Sequence, residues 1–79
     1  MNINIETKYK IGDTVYIAEK YEDYFPSKPL TVLSILVTIL PAATLIEYGL
    51  GKDGYCDKIP ENRILPTYEE CIKWCQENN

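Results

Sequence analysis

Pro66-Thr67-Tyr68-Glu69-Glu70-Cys71-Ile72-Lys73-Trp74-Cys75 is the stretch on which the reading of the fold turns. Thr67 carries the hydroxyl an N-cap needs. Glu70, three residues on, can reach back to the Thr67 amide, so two orphan donors at a helix start find acceptors. Pro66 ends the extended chain ahead of it. Helical spacing puts Tyr68, Cys71, Ile72 and Cys75 on one face with Trp74 at its margin. Glu69, Lys73, Gln76 and Glu77 take the other face. The pattern predicts a helix over about 67–77 whose apolar stripe must rest on something. What precedes it reads as strands and turns, so that something is a sheet.

Upstream of Pro66, Pro60 to Leu65 reads as an extended link and Tyr55 to Ile59 as a short strand. Gly51-Lys52-Asp53-Gly54 has the glycines of a tight hairpin turn. Leu30 to Leu40 and Thr44 to Leu50 are rich in Val, Ile, Leu and Thr, a strand composition, and Pro41-Ala42-Ala43 breaks the run between them. Tyr21 to Pro29 mixes acids, aromatics and prolines without a period and reads as a loop. Ahead of that loop, Gly12-Asp13 supplies a turn into a strand in which Val15 and Ile17 alternate with Thr14, Tyr16 and Ala18. The strands together occupy about 9–65, and residues 1–79 form a single domain.

The uncharged run from Pro29 to Ile46 spans 18 residues, close to the length of a membrane-crossing helix. Its composition opposes that reading. Pro41 interrupts it, β-branched residues dominate it, and Thr31, Ser34, Thr38 and Thr44 add hydroxyls. Lys28 and Lys52 flank it with no orientation bias. Two buried strands around a Pro41 turn account for it, and no membrane association is expected.

A chain of 79 residues buries only about 60–65% of its unfolded surface and folds near the margin. A hydrophobic content of 46% with seven tyrosines still suffices for one core and excludes intrinsic disorder. The net charge of −4, with Arg63 as the only arginine, disfavours a general phosphate-backbone binder. Met1-Asn2-Ile3-Asn4-Ile5-Glu6 lacks the basic and apolar regions of a signal peptide. Three cysteines, Cys56, Cys71 and Cys75, are then expected to be reduced thiols of a cytoplasmic protein.

The absence of histidine removes the commonest general base and metal ligand. Cys71 and Cys75 lie on the apolar stripe, where a thiol acts as a small hydrophobe. No CxxC pair exists to open a zinc site, and Glu69 and Glu70 suit the positive end of the helix dipole. No catalytic residue, metal or cofactor is expected, and the chain is read as a non-enzyme. The functional hint is aromatic. Seven tyrosines, Phe25 and Trp74 exceed what so small a core can hold. Tyr21, Glu22, Asp23, Tyr24 and Phe25 therefore form the expected partner-binding site, rigid rings between acids that favour a protein partner with a basic surface.

Tyr9-Lys10-Ile11-Gly12-Asp13-Thr14-Val15-Tyr16 at one end, and Pro60-Glu61-Asn62-Arg63-Ile64-Leu65-Pro66-Thr67-Tyr68-Glu69-Glu70-Cys71 at the other, give the chain a layout that resembles small SH3-like barrel proteins. These are proteins of Gram-positive bacteria and of their phages and mobile elements, largely without assigned roles. The resemblance implies a partly open barrel of about five strands with the C-terminal helix packed on it; the loop aromatics and the lack of a catalytic constellation then point to an interaction module rather than an enzyme. The tryptophan of peptide-binding SH3 grooves is missing from its usual loop, since Trp74 sits in the helix. Two further readings accompany the first. One is an inhibitor of a host nuclease or defence complex that mimics nucleic acid, as anti-CRISPR proteins do, using Glu19, Glu22, Asp23, Asp53 and Asp57. The other is a nucleic-acid-binding regulator with a face of Lys8, Lys10, Lys20 and Lys58.

Overall fold

The computed structural model describes residues 5–52 and 55–79. Among them the chain runs through β1 (Thr14–Lys20), β2 (Tyr24–Pro26), β3 (Leu30–Ile39), β4 (Thr44–Lys52), β5 (Tyr55–Pro60), a 3-10 turn (Glu61–Arg63), β6 (Ile64–Leu65) and α1 (Tyr68–Asn78). All pairings are antiparallel. The fold is mainly β, an open sheet with one helix at its C-terminal end. The expected barrel closure is absent from the described residues: β5 pairs only with β4, while β6 pairs with β1.

β1 explains why the sheet takes this form. Tyr24–Pro26 pairs with Ala18–Lys20, and Leu30–Thr31 pairs with Thr14–Val15, with the register displaced by one residue between the two. Ser27 fills the gap, its N–H donating to the Ile17 carbonyl at 2.8 Å and its hydroxyl accepting from the Ile17 N–H at 3.0 Å. β2 and β3 thus run along one edge of β1 as a single bulged strand. The opposite edge takes β6 through Tyr16↔Leu65 and Ile17↔Ile64. Two expectations are corrected here. Tyr21–Pro29 is a three-residue turn followed by a strand, and the link Pro60–Leu65 contains a 3-10 turn and a strand.

The alternation of β1 serves two separate cores. Val15 faces Tyr9, Val32, Tyr48, Leu50 and Ile64, with Ile17, Leu30, Ile35, Ile46 and Ile59 around them. Ala18 faces Cys71 and Cys75 of α1, with Tyr16, Tyr24, Leu65 and Trp74 around them. The helix packs on β1, β2 and β6 rather than over the larger core. Its cap is as read: the Glu70 N–H donates to Thr67 Oγ1 at 3.1 Å, worth about 1 kcal/mol. Only that half of the reciprocal box forms among the described hydrogen bonds.

A polar chain crosses the larger core. Tyr48 is fully buried; its hydroxyl accepts from the Tyr9 N–H at 3.2 Å and donates to the Glu61 carboxylate. The Tyr9 hydroxyl donates to the Ile64 carbonyl at 3.0 Å. The two rings meet edge to face at 5.4 Å. This chain fixes the segment ahead of β1 against the 3-10 turn. That segment enters β1 through a turn where Asp13 N–H donates to the Lys10 carbonyl and Gly12 takes φ +97°, which only glycine adopts freely.

β3 and β4 form a long hairpin. Ile39↔Thr44 is its last ladder pair, and Leu40 and Ala43 close the Pro41-Ala42 turn by mutual backbone bonds. The register shifts between Val32 and Ser34, leaving Leu33 as the extra residue of a bulge. Of the predicted Gly51–Gly54 turn, Gly51 and Lys52 belong to the end of β4, and residues 53–54 lie outside the described residues.

Candidate binding site

Lys20↔Tyr24 leaves Tyr21, Glu22 and Asp23 as the turn between β1 and β2, closed by the Tyr21 N–H on the Asp23 carbonyl at 3.3 Å. A turn this short cannot fold back over the sheet. Tyr21 is 87% exposed, and Glu22 and Asp23 are exposed beside it. Phe25, 43% exposed, stands opposite Glu19 on the adjoining ladder pair. Three acids and two exposed rings therefore share this hairpin.

Tyr24 belongs elsewhere. Its ring packs edge to face on Trp74 at 4.9 Å, and the Lys20 ammonium lies 4.8 Å from the ring centre. Its backbone N–H donates to Asn79 Oδ1, and the Asn79 amide returns a bond to the Tyr24 carbonyl at 3.0 Å. The expectation of five residues on one free loop is thus corrected. Four face solvent at the hairpin, and the fifth holds the hairpin to the helix.

Next to Tyr24 lies a cleft of about 230 Å³ lined by Ala18, Tyr24, Asn62, Arg63, Leu65 and Trp74. Three segments meet there: the β1–β2 hairpin, the 3-10 turn with β6, and α1. Two aromatic rings give it stiff apolar walls, while Arg63 and Asn62 bring the donors. Such a lining suits an apolar or aromatic side chain presented with a carbonyl or carboxylate. Sequence reading missed the cleft because its six residues span 18–74; the lone arginine and lone tryptophan were the available signal.

The cysteines of α1 are buried thiols. Burial, with Cys75 beside it, pushes the Cys71 thiol up to about 11. A neutral thiol is a poor nucleophile and metal ligand. Among the described residues no three acidic or thiol side chains gather as a metal site. The shift has a consequence for stability. Below about pH 9 folded and unfolded chains both keep this proton. Between about 9 and about 11 only the unfolded chain releases it, so the folded state loses stability as pH rises through that window. Burial raises Tyr9 and Tyr48 in the same direction, extending the loss upward. Urea midpoints should fall from pH 9 to pH 11, and Cys71→Ala should remove part of the fall that starts first; a flat profile would contradict the buried thiol.

Two of the four lysines suggested as a nucleic-acid face are engaged with rings instead, Lys8 over Tyr9 and Lys20 over Tyr24. Of the acids suggested as a mimic surface, Glu19, Glu22 and Asp23 share the first hairpin, whereas Asp53 and the side chain of Asp57 lie outside the described residues. No helix among the described residues is long and apolar enough to cross a membrane. In comparison with known proteins, the chain matches no family model, no curated protein and no solved structure.

Proposed function

We propose that the chain is a non-enzymatic protein-interaction module of SH3-like type. It engages a partner through Tyr21, Glu22, Asp23 and Phe25, with the Tyr24–Trp74 cleft as the adjoining pocket. Support for the SH3-like assignment comes from connectivity: a hairpin after the first strand, a three-strand meander from β3 to β5, and a 3-10 turn leading to a strand that returns to β1. The observation that carries the binding role is the 87% exposure of Tyr21 on a turn too short to bury it. A large aromatic standing in water gives up apolar surface when a partner covers it, and tyrosine has few rotatable bonds to freeze in doing so. Glu19, Glu22 and Asp23 around it favour a basic partner surface and predict association that weakens as salt rises.

A photo-crosslinking residue at position 21, used in the native host, should capture one predominant protein through a lysine- or arginine-rich segment. Tyr21→Ala with Phe25→Ala should then weaken binding to that purified protein at least tenfold with the melting temperature unchanged. Equal affinity of the double variant would remove the site from consideration.

A further inference from the structure

We propose that the chain forms a two-fold dimer by pairing the free edge of β3 with the same edge of a second copy. β1 covers that edge only to Val32, whose N–H donates to the Asp13 carbonyl and whose carbonyl accepts from the Gly12 N–H. From Leu33 to Ile39 the outer edge of β3 has no partner among the described residues. Those seven residues, about 23 Å of extended chain, are Leu-Ser-Ile-Leu-Val-Thr-Ile. Solitary edges are normally blunted with lysine, proline or an inward-pointing charge. This one has none.

The faces of the hairpin agree. Leu33, Leu36, Ile39, Leu40 and Leu45 supply half of the large exposed hydrophobics among the described residues, with Leu36 41% and Ile39 56% exposed. Charge selects the second copy over a foreign partner. A protein of net charge −4 repels its own copy, which favours a self-contact where charge is absent. Pro29 to Ile46 is the long charge-free run of the chain, and the free edge lies wholly within it. A foreign partner chosen by this acidic chain would be expected at its charged surface, where the hairpin of β1 and β2 already offers one.

Antiparallel self-pairing of Leu33–Ile39 fixes the register, because the two-fold axis must pass through the middle of the edge at Leu36. Leu36 then meets its own copy, Ile35 meets Val37 and Ser34 meets Thr38. Cross-strand partners in β4 put Ile35 and Val37 on the face of Tyr48 and Ile46, and Ser34, Leu36 and Thr38 on the other. The register therefore matches core face to core face. It also brings the partner's hairpin tip against Gly12–Asp13, where β1 leaves the edge. The result is one sheet continuous across both copies, a closed isologous contact.

Sedimentation equilibrium of the full chain over micromolar to several hundred micromolar should give a mass rising from 9.1 kDa to twice that value. Leu36→Lys and Leu36→Glu, at an exposed position, should each stay folded and weaken dimerisation at least tenfold, while their equimolar mixture should recover it. That recovery is specific to a residue facing its own copy. A wild type that stays monomeric at the highest concentration overturns the proposal, and so does open-ended assembly. Undiminished dimers of either variant, or failure of the mixture to recover with both variants folded, overturn it too. A monomer that instead binds neutral phosphatidylcholine vesicles would assign the apolar arm to lipid. Binding at Tyr21 is measured separately, so either result leaves the other standing.

Discussion

Tyr48→Ala is expected to abolish folding. The side chain is fully buried at the meeting point of β3, β4 and β5, opposite Ile35 on one side and Ile59 on the other. Removing a buried ring leaves a cavity costing about 3–5 kcal/mol. The Tyr9 N–H also loses its acceptor and Glu61 its donor, at about 1 kcal/mol or more each. A domain of this size has roughly 4–12 kcal/mol in total. Far-UV circular dichroism of the variant should lose its β signature without a cooperative melt. Tyr48→Phe separates the two contributions, since it keeps the ring and removes the hydroxyl; it should remain folded and lose about 1–2 kcal/mol in urea. A Tyr48→Ala protein that melts cooperatively within a few degrees of wild type would contradict the placement of this residue.

Loss of α1 should be nearly as damaging. Ending the chain after Thr67 strips Cys71, Cys75 and Trp74 from Ala18, Tyr16, Tyr24 and Leu65, and frees the edge of β2 held by Asn79. Each sizeable side chain returned to water costs about 1.5–3 kcal/mol. β6 would then depend on two residues of ladder. The shortened chain should show no cooperative thermal transition and should be cut rapidly by protease at limiting dilution. In the full chain, Cys71→Asp puts a carboxylate where a buried thiol sits and should cost at least 3 kcal/mol. A cooperative melt of the shortened chain, together with a mild Cys71→Asp, would reduce the helix to an appendage.

Where the sequence was legible, local chemistry was strong. Thr67, Glu70 and a 3.6-residue stripe announce the helix, and it runs over Tyr68–Asn78. Pro41 marks the turn of the long hairpin because proline presets the bend. The short elements were not legible. β2 and β6 have three and two residues, too few for any period, and exist because β1 offers them an edge. Barrel closure was an expectation drawn from layout; among the described residues β5 pairs only with β4, so no ladder joins the far edge of the sheet back to its start. At the hairpin, the exposure of Tyr21 and Phe25 could be anticipated from acids and turn residues. The inward turn of Tyr24 could not, since which face it takes depends on its register with Lys20. Nor could the cleft, which three distant segments assemble.

β1 is a party wall. Neighbouring residues on it belong to different compartments, so inserting or deleting one amino acid between Thr14 and Lys20 would swap the tenants of both and spoil two packings at a stroke. The same insertion among Tyr21, Glu22 and Asp23 only lengthens an outdoor bend. Length changes, and with them shifts in what the chain binds, have their room at that bend and not in the strand before it.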